Sequence, residues 1–238
     1  MSQENEKNTE FLIPEPIPLL KERKGGGLNL IHVALLLEAA RMIDEGMDIP
    51  SVEAAAKKAF GVSKGFLSAM DEAGIVEACS VMETLADDSD PEDPFFKFYH
   101  NFFSPPESCK DKIREMERAE DKETVRWISE EEAQQEAKDS GRVDALVRRF
   151  HAVAFITSIE VVESEVLDLH DVDRLCKETL GWKEGPFVMM NRIGIGAAME
   201  IVTEKMYLSH RREINFPVPR LMIQQAKKEE PWPLNSKT

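Results

Sequence analysis

The sequence predicts an all-α protein built from two tandem helical lobes. Apolar residues recur at spacings of three and four positions, which places them on one face of a helix, and no stretch alternates like a half-buried strand. In addition, the glycine-punctuated stretch at 61–74 occurs again at 181–194, 120 positions later. This second observation predicts an internal duplication.

The two stretches keep one register along their length. The matched pairs are Gly61 with Gly181, Gly65 with Gly185, Met70 with Met190, Asp71 with Asn191, and Gly74 with Gly194. Upstream, the same shift places Glu45 on Glu165 and Glu53 on Asp173. We therefore expect both copies to contain a long apolar helix, a short helix and a glycine turn, aligned without a gap.

A proline-rich arm is predicted at residues 1–24, where three prolines within 11–20 forbid a regular helix or central strand. The first lobe is then predicted at 25–106. Its first helix carries an apolar stripe and ends at Gly46, and Ser51 is expected to cap the next helix. We expect the arm to lie extended on this lobe.

Residues 107–141 are predicted to form a charged helical connector, because charged residues separate their few apolar ones. Just before it, residues 95–103 hold five phenylalanines and one tyrosine. This density indicates a satellite core or an interaction surface. The second lobe is predicted at 142–238 and begins with a long helix over about 143–165. Its buried stripe comprises Leu146, Phe150, Val153, Ile156, Ile159 and Val162.

Composition limits the classes of partner that the protein can bind. With 45 acidic and 30 basic residues the formal charge is −15, which argues against nucleic acid and anionic membrane surfaces. The N-terminus lacks the pattern of a signal peptide, and no apolar run approaches membrane length. Three widely spaced cysteines indicate neither a disulfide framework nor a thiolate metal site. A cytoplasmic protein without a metal is expected.

Several motifs together resemble a known family. The helix at 29–46 is led by Asn29 and ends in glycine, the second copy carries Asp-Val-Asp at 171–173 and Gly-Pro-Phe at 185–187, and the tail 216–233 is similar to a domain end. This pattern resembles the C-terminal domain of 3-hydroxyacyl-CoA dehydrogenases, in two copies as in multifunctional β-oxidation enzymes. The resemblance implies an all-α, 6-phosphogluconate dehydrogenase C-terminal-like fold.

The resemblance also shows what this sequence lacks. Enzymes of the family place an NAD-binding Rossmann domain, with the catalytic His-Glu pair, before this domain. No G-x-G-x-x-G loop after a strand occurs here. The resemblance therefore implies the substrate-side and dimer-forming half of a dehydrogenase. NAD would be met only through a partner, a separate Rossmann protein that binds it. A homodimer is the other expected assembly, and no catalytic residue is assigned.

Two residues of the first helix are candidate substrate contacts. By the resemblance, Asn29 corresponds to an Asn that helps to orient the hydroxyacyl substrate; alternatively, it caps the helix. His32 lies one turn later on the same face and could serve as a base, or could simply be hydrogen-bonded. At the shift of 120 the second copy has Arg149 in place of Asn29, so that copy is expected to lack this contact.

A second set of candidates is basic. His210, Arg211 and Arg212, together with Lys205, could contact the phosphates of coenzyme A, or could be a charged helix end. We interpret the pairs at 57–58 and 148–149 as a solvated face. We interpret the carboxylates Asp171, Asp173 and Glu53 as helix caps rather than metal ligands.

Two functions remain open. One is the substrate-side component of a 3-hydroxyacyl-CoA dehydrogenase of the fatty acid β-oxidation type, binding acyl-CoA and acting with a separate NAD-binding chain. The other is a non-catalytic scaffold or dimerisation protein derived from that domain. In the second case, the aromatic stretch at 95–103 would form the interface.

Overall fold

The computed structural model describes residues 24–87, 102–121, 124–133, 135–137, 139–210, 214, 216 and 219–234. These residues contain helices and no strand, which confirms the all-α prediction. Among them, no helix is both long enough and apolar enough to cross a membrane. Residues 1–23 of the predicted arm, and residues 95–101 of the aromatic stretch, lie outside the described residues.

The described helices follow the same order twice. The first series is α1 (Lys24–Asp44), α2 (Ile49–Phe60), α3 (Phe66–Ala73), α4 (Ile75–Asp87) and α5 (Glu107–Arg118), after which comes the short α6 (Glu130–Ala133). The second series is α7 (Ser140–Glu163), α8 (Leu169–Glu178), α9 (Pro186–Ile193), α10 (Ile195–His210) and α11 (Arg220–Lys228).

Matching residues set the starts of α2 and α8. The side chain of Asp48 accepts a hydrogen bond from the Ser51 amide at 3.0 Å, and that of Asp168 accepts one from the Asp171 amide at 2.8 Å. The expectation that Ser51 caps α2 was therefore wrong. The cap is Asp48, because its carboxylate reaches the free amide three residues later. Asp48 and Asp168 stand 120 positions apart, as the duplication predicts.

The long helices α1 and α7 do not keep this shift. After α1, Gly46 takes φ +82° and the amide of Met47 bonds to the Met42 carbonyl. After α7 the same motif uses Glu165 at φ +59° and a bond from Val166 to Val161, which is a shift of 119. The second copy thus has one extra residue before its next helix. The predicted gapless alignment was wrong upstream of α2 and α8.

A carboxylate from the preceding helix holds the start of each short helix. Glu53 on α2 accepts from the amides of Gly65 at 3.1 Å and Leu67 at 2.9 Å. Asp173 on α8 accepts from the amides of Phe187 at 2.8 Å and Val188 at 3.1 Å. Both carboxylates therefore hold the start of the following helix. The expectation that they cap their own helices was wrong, because Asp48 and Asp168 occupy those positions. Burial raises the pKa of Asp173 to about 6, although these amides oppose it.

The last helix of each series attaches to its own lobe in the same way. Asp44, at the end of α1, accepts from the amides of Glu107 and Ser108 at the start of α5, at 3.0 and 2.9 Å. Glu163, at the end of α7, accepts from the Leu221 amide at the start of α11. No observation tests the predicted domain bounds with a connector at 107–141. Because of these contacts, we propose that α5 is part of the first lobe and not of a connector.

A buried tryptophan follows each of these last helices. Asp71 on α3 accepts from the Trp127 amide at 2.6 Å, and its counterpart Asn191 on α9 accepts from the Trp232 amide, also at 2.6 Å. Both indoles are buried. The duplication therefore extends through the loop that follows α5 and α11, and the shorter loop of the second lobe accounts for the lost register there.

The two lobes share one hydrophobic core. The long helices α1 and α7 pack against each other, and α2 of the first lobe packs on α7 of the second. At the edge of this contact Phe60 stacks on Trp182 with ring centroids 4.1 Å apart, and the Lys183 amide donates to the Phe60 carbonyl at 2.8 Å. The predicted substrate residues of α1 therefore lie on a helix that is central to both lobes.

Candidate functional site

Asn29 and His32 lie one turn apart near the start of α1, and both are half-buried. The His32 ring lies against Phe66 of α3, with centroids 6.1 Å apart. Burial lowers the pKa of His32 to about 4, so its imidazole is neutral at pH 7. A base is most effective with a pKa near the working pH. His32 is therefore better suited to donating or accepting a hydrogen bond than to taking a proton.

The second lobe presents different groups at these positions. At the shift of 119 that the helix ends define, the counterpart of Asn29 is Arg148, which is exposed and paired with Glu204 at 2.9 Å. The counterpart of His32 is His151, whose Nε2 lies 3.1 Å from the Ala59 carbonyl of α2. The prediction that the second copy lacks the amide still follows, although Arg148 rather than Arg149 replaces it.

An ionic cluster joins the lobes next to these helices. Glu38 of α1 is fully buried, and its Oε1 accepts from Arg149 Nη2 of α7 and from Lys205 Nζ of α10, each at 2.6 Å. Arg149 also bonds to Glu45 at 2.9 Å. Buried charges need such partners, because isolated ones are strongly disfavoured in an apolar interior.

The pKa values in this cluster follow from burial and from charge. Burial alone would raise the pKa of Glu38, but Lys205, Arg149 and Arg41 outweigh it and lower the pKa to about 2. Burial lowers the pKa of Lys205 to about 8, although Glu38 opposes this change. Glu38 is therefore ionised at neutral pH.

Two aromatic rings lie beside the ionic cluster and, with it, form the junction between the lobes. Arg41 donates to the Phe102 carbonyl and lies over the Phe102 ring at 5.1 Å, while Lys205 lies over the Phe216 ring at 5.6 Å. The two rings meet edge to face, with centroids 4.8 Å apart. A cation over a ring face is a favourable arrangement. Because each ring precedes the last helix of its lobe, the two lobes supply equivalent parts to one junction.

Three interpretations of individual residues were wrong. Arg149 is not solvated, because it lies between Glu38 and Glu45. Lys205 is not available to coenzyme A, because it is buried against Glu38. Phe102 is not part of an exposed interface, since it is fully buried. The packing of α1, α7 and α10 brings these side chains inside. Phe103 is buried as well, so both described residues of the aromatic stretch belong to the core.

The remaining predictions concern the basic residues at the end of α10 and metal binding. His210 is exposed at the end of α10, whereas Arg211 and Arg212 lie outside the described residues. The coenzyme A phosphate site therefore stays a prediction. Within the described residues no group of histidine, cysteine, aspartate or glutamate side chains could hold a metal ion.

The cluster around Glu38 was not predicted from the sequence. One signal was present, because Glu38 and Arg41 interrupt the apolar run of α1, where charged residues are not expected without partners. The partners could not be identified in this way. Arg149 and Lys205 stand 111 and 167 positions away, and only the packing of the lobes brings them together.

Comparison with known proteins agrees with this duplicated architecture. The family model of the 3-hydroxyacyl-CoA dehydrogenase, C-terminal domain, matches residues 28–123 and again 146–230. No curated protein and no solved structure matched the chain. The two matched segments follow the two helical series, and together they cover most of the chain. The chain therefore belongs to the family of the 3-hydroxyacyl-CoA dehydrogenase C-terminal domain.

Proposed function

We propose that this chain supplies the substrate-side half of a 3-hydroxyacyl-CoA dehydrogenase of the β-oxidation type. In this proposal it holds the acyl thioester, while a separate chain binds NAD and provides the catalytic acid-base pair. The observation that supports it is the placement of Asn29. The residue lies half-buried near the start of α1, in a lobe that the family model matches, with the neutral imidazole of His32 one turn away.

The chemistry of these two side chains suits a thioester. An amide both donates and accepts, so Asn29 can bond to the thioester carbonyl or to the 3-hydroxyl of a substrate. A neutral imidazole can supply a second bond of either kind. Because the pKa of His32 is about 4, we assign it to substrate positioning and not to proton abstraction.

The described residues do not fit a dinucleotide. Binding of NAD in this class uses a strand, a glycine-rich turn and a helix that follow one another, and the described part of the chain contains no strand. We therefore assign no step involving NAD to this chain. The proposed partner is a protein with a Rossmann domain that meets the face bearing Asn29.

A scaffold without catalytic function is the second candidate. One observation favours it: the contact between the lobes is closed within one chain by the Glu38 cluster, so a paired arrangement needs no second copy. A homodimer stays a prediction, to be checked by light scattering on the purified chain. Under this candidate Asn29 contacts no ligand. The alternative that Asn29 caps the helix was wrong, because α1 begins at Lys24, five residues before it.

Calorimetric titration with acetoacetyl-CoA separates the two candidates. The chain is titrated alone, with NADH, and with NADH plus an NAD-binding domain from a dehydrogenase of this family. The dehydrogenase component should bind, and Asn29→Ala should weaken binding by about two- to tenfold, which is the loss expected for one hydrogen bond between neutral groups.

Arg148→Ala is the matched control, because it alters the counterpart of Asn29 in the second lobe. It should leave binding unchanged. His210→Ala tests the predicted coenzyme A contact in the same titration. Absence of heat under all three conditions, or an equal loss in Asn29→Ala and Arg148→Ala, would leave the scaffold as the function.

A further inference from the structure

The chain itself covers the outer face of α2 in the first lobe. Asp71 of α3 accepts from the Trp127 amide at 2.6 Å and from the Ile128 amide at 3.1 Å, and the short helix α6 then packs on α2. Ile128 and Ala137 are partly buried against the core. We call residues 128–137, which are described except at position 134, the cover segment.

The cover segment and α2 bring opposite charges to their contact. The groove between them is lined by Lys57 on one side and by Glu132 and Glu136 on the other. Glu53 also lines this groove, but its carboxylate is bonded to the amides of α3. The apolar residues of the groove come from both sides and include Ile49, Ala54, Ile128 and Ala137. The contact therefore joins a basic and apolar helix face to an acidic segment.

The second lobe presents the matching face without a cover segment. After Trp232, the counterpart of Trp127, the structure describes Pro233 and Leu234, and Leu234 packs on the core. The described helices on which α8 packs are α9, α7 and α1. The described residues of the second lobe thus contain no equivalent of residues 128–137 over the outer face of α8.

This face of α8 and α9 is more basic and more apolar than its counterpart. At the shift of 120, the matched pairs are Lys177 with Lys57, Arg174 with Ala54, and Val188 with Ser68. Lys177 is exposed, and Val188 is 38% exposed. Arg174 is paired with Asp171 and Glu178 of its own helix, at 2.7 and 2.9 Å, so we take Lys177 as the cation for a partner.

We propose that the outer face of α8 binds an acidic helical segment of a partner protein, in the way that α2 holds the cover segment. Carboxylates of the partner lie beside Lys177, and an apolar side chain packs on Val188 and on the partly buried Leu169. Such a contact combines apolar packing with complementary charge. It uses neither Asn29 nor His32, so it does not depend on the proposed dehydrogenase function.

The test measures binding of a fluorescein-labelled peptide, with the sequence of the cover segment, to the full-length chain by fluorescence anisotropy. The peptide should bind with a Kd below about 1 mM. Binding should weaken as the salt concentration rises, because exposed charges are screened. A second peptide with glutamine in place of each glutamate should bind more weakly.

Variants of the chain locate the binding face. Lys177→Glu should weaken binding by about fivefold or more, because it replaces attraction with repulsion, and Val188→Ser by about three- to tenfold, because it removes apolar surface. Lys57→Glu is the matched control at the equivalent position of the first lobe, and it should leave binding of the peptide unchanged. All three side chains are exposed, so each variant should melt like the wild type.

Four results would overturn the proposal. The first is no binding of the peptide. The second is an equal loss in Lys57→Glu and Lys177→Glu, which would mean that the peptide exchanges with the cover segment of the first lobe. The third is displacement of the peptide by one with the sequence of residues 1–23, because that segment of the chain would then occupy the face. The fourth is self-association of the chain that Lys177→Glu abolishes, which would assign the face to a second copy.

Discussion

Removing the charge of Glu38 should destabilise the protein more than any surface charge change. Glu38→Gln keeps the shape of the side chain, but it leaves Lys205 without its carboxylate and leaves Arg149 with Glu45 alone. The side chains of Glu38 and Lys205 are 0% and 8% exposed, so water cannot replace the lost partner. Breaking such a buried pair costs about 3–5 kcal/mol.

Urea unfolding measures this loss of stability. The urea concentration at the midpoint should fall, while the dependence of the free energy of unfolding on urea stays the same. In a chain of this size the same loss lowers the melting temperature by roughly 6–20 °C. Glu204→Gln is the matched control, because Glu204 pairs with Arg148 at 2.9 Å with a side chain that is 58% exposed. Exposed pairs contribute about 0–1 kcal/mol. Equal effects of the two substitutions would refute the reasoning.

A double substitution isolates the interaction. In Glu38→Gln combined with Lys205→Met, the unpaired ammonium is gone, so part of the lost stability should return. The free energy of unfolding at acid pH gives a second check. The pKa of Glu38 is about 2 in the folded state and 4.5 is its ordinary value, so its contribution is present above pH 4.5 and is lost as pH falls towards 2. In Glu38→Gln the free energy of unfolding should therefore depend less on pH in this range.

Three further predictions concern the duplicated elements. Gly61→Ala should cost about 1 kcal/mol more than Gly181→Ala, because both residues have φ +69° but only at Gly61 would the new Cβ meet Lys183 Cβ, at 2.8 Å; equal unfolding midpoints would contradict this. The folded pKa of His32 is about 4 against 6.5, so the unfolded state binds the extra proton and stability should fall, by at most about 3 kcal/mol, from pH 6.5 to 4. His32→Gln should remove this contribution to the pH dependence of the free energy of unfolding. Glu53→Ala should cost about 2 kcal/mol in urea unfolding, because it removes the cap of α3, and a loss under 0.5 kcal/mol would count against that role.

Much of the fold follows from local patterns. The glycines at 61, 74, 181 and 194 all take positive φ at helix ends, which is the role that their spacing predicts. The lengths of α3 and α9 and their register likewise follow from the duplication. Such features depend on residues within a few positions of one another, so they are visible in the sequence.

The errors arose where distant residues decide the outcome. The shift between α1 and α7 is 119 because the second copy has one extra residue between the helix end and the next cap. The sequence hides this, since Glu165 occupies the position of Gly46 and a glutamate gives no sign of a positive φ. Arg149 was expected at the surface on local composition, and Phe102 either in a satellite core or at an interface. Their burial depends on partners more than a hundred positions away for Arg149 and on Phe216 for Phe102.

The candidate site was predictable only in part. Asn29 and His32 were singled out by resemblance and by helical spacing, and the structure does place them on one half-buried stretch of α1. The pKa of His32 could not be read from the sequence, because it depends on burial beside α3. That burial changes the proposed role of His32 from base to positioning residue.

The most direct measurement is an NMR titration of the 15N-labelled chain with acetoacetyl-CoA, following assigned side-chain and backbone signals. If Asn29 and His32 contact the thioester, the Asn29 side-chain amide and the signals of His32 will shift with added ligand, while those of Arg148 and His151 in the second lobe will not. Shifts confined to the second lobe, or no shift in either lobe with the NAD-binding domain present, would contradict it.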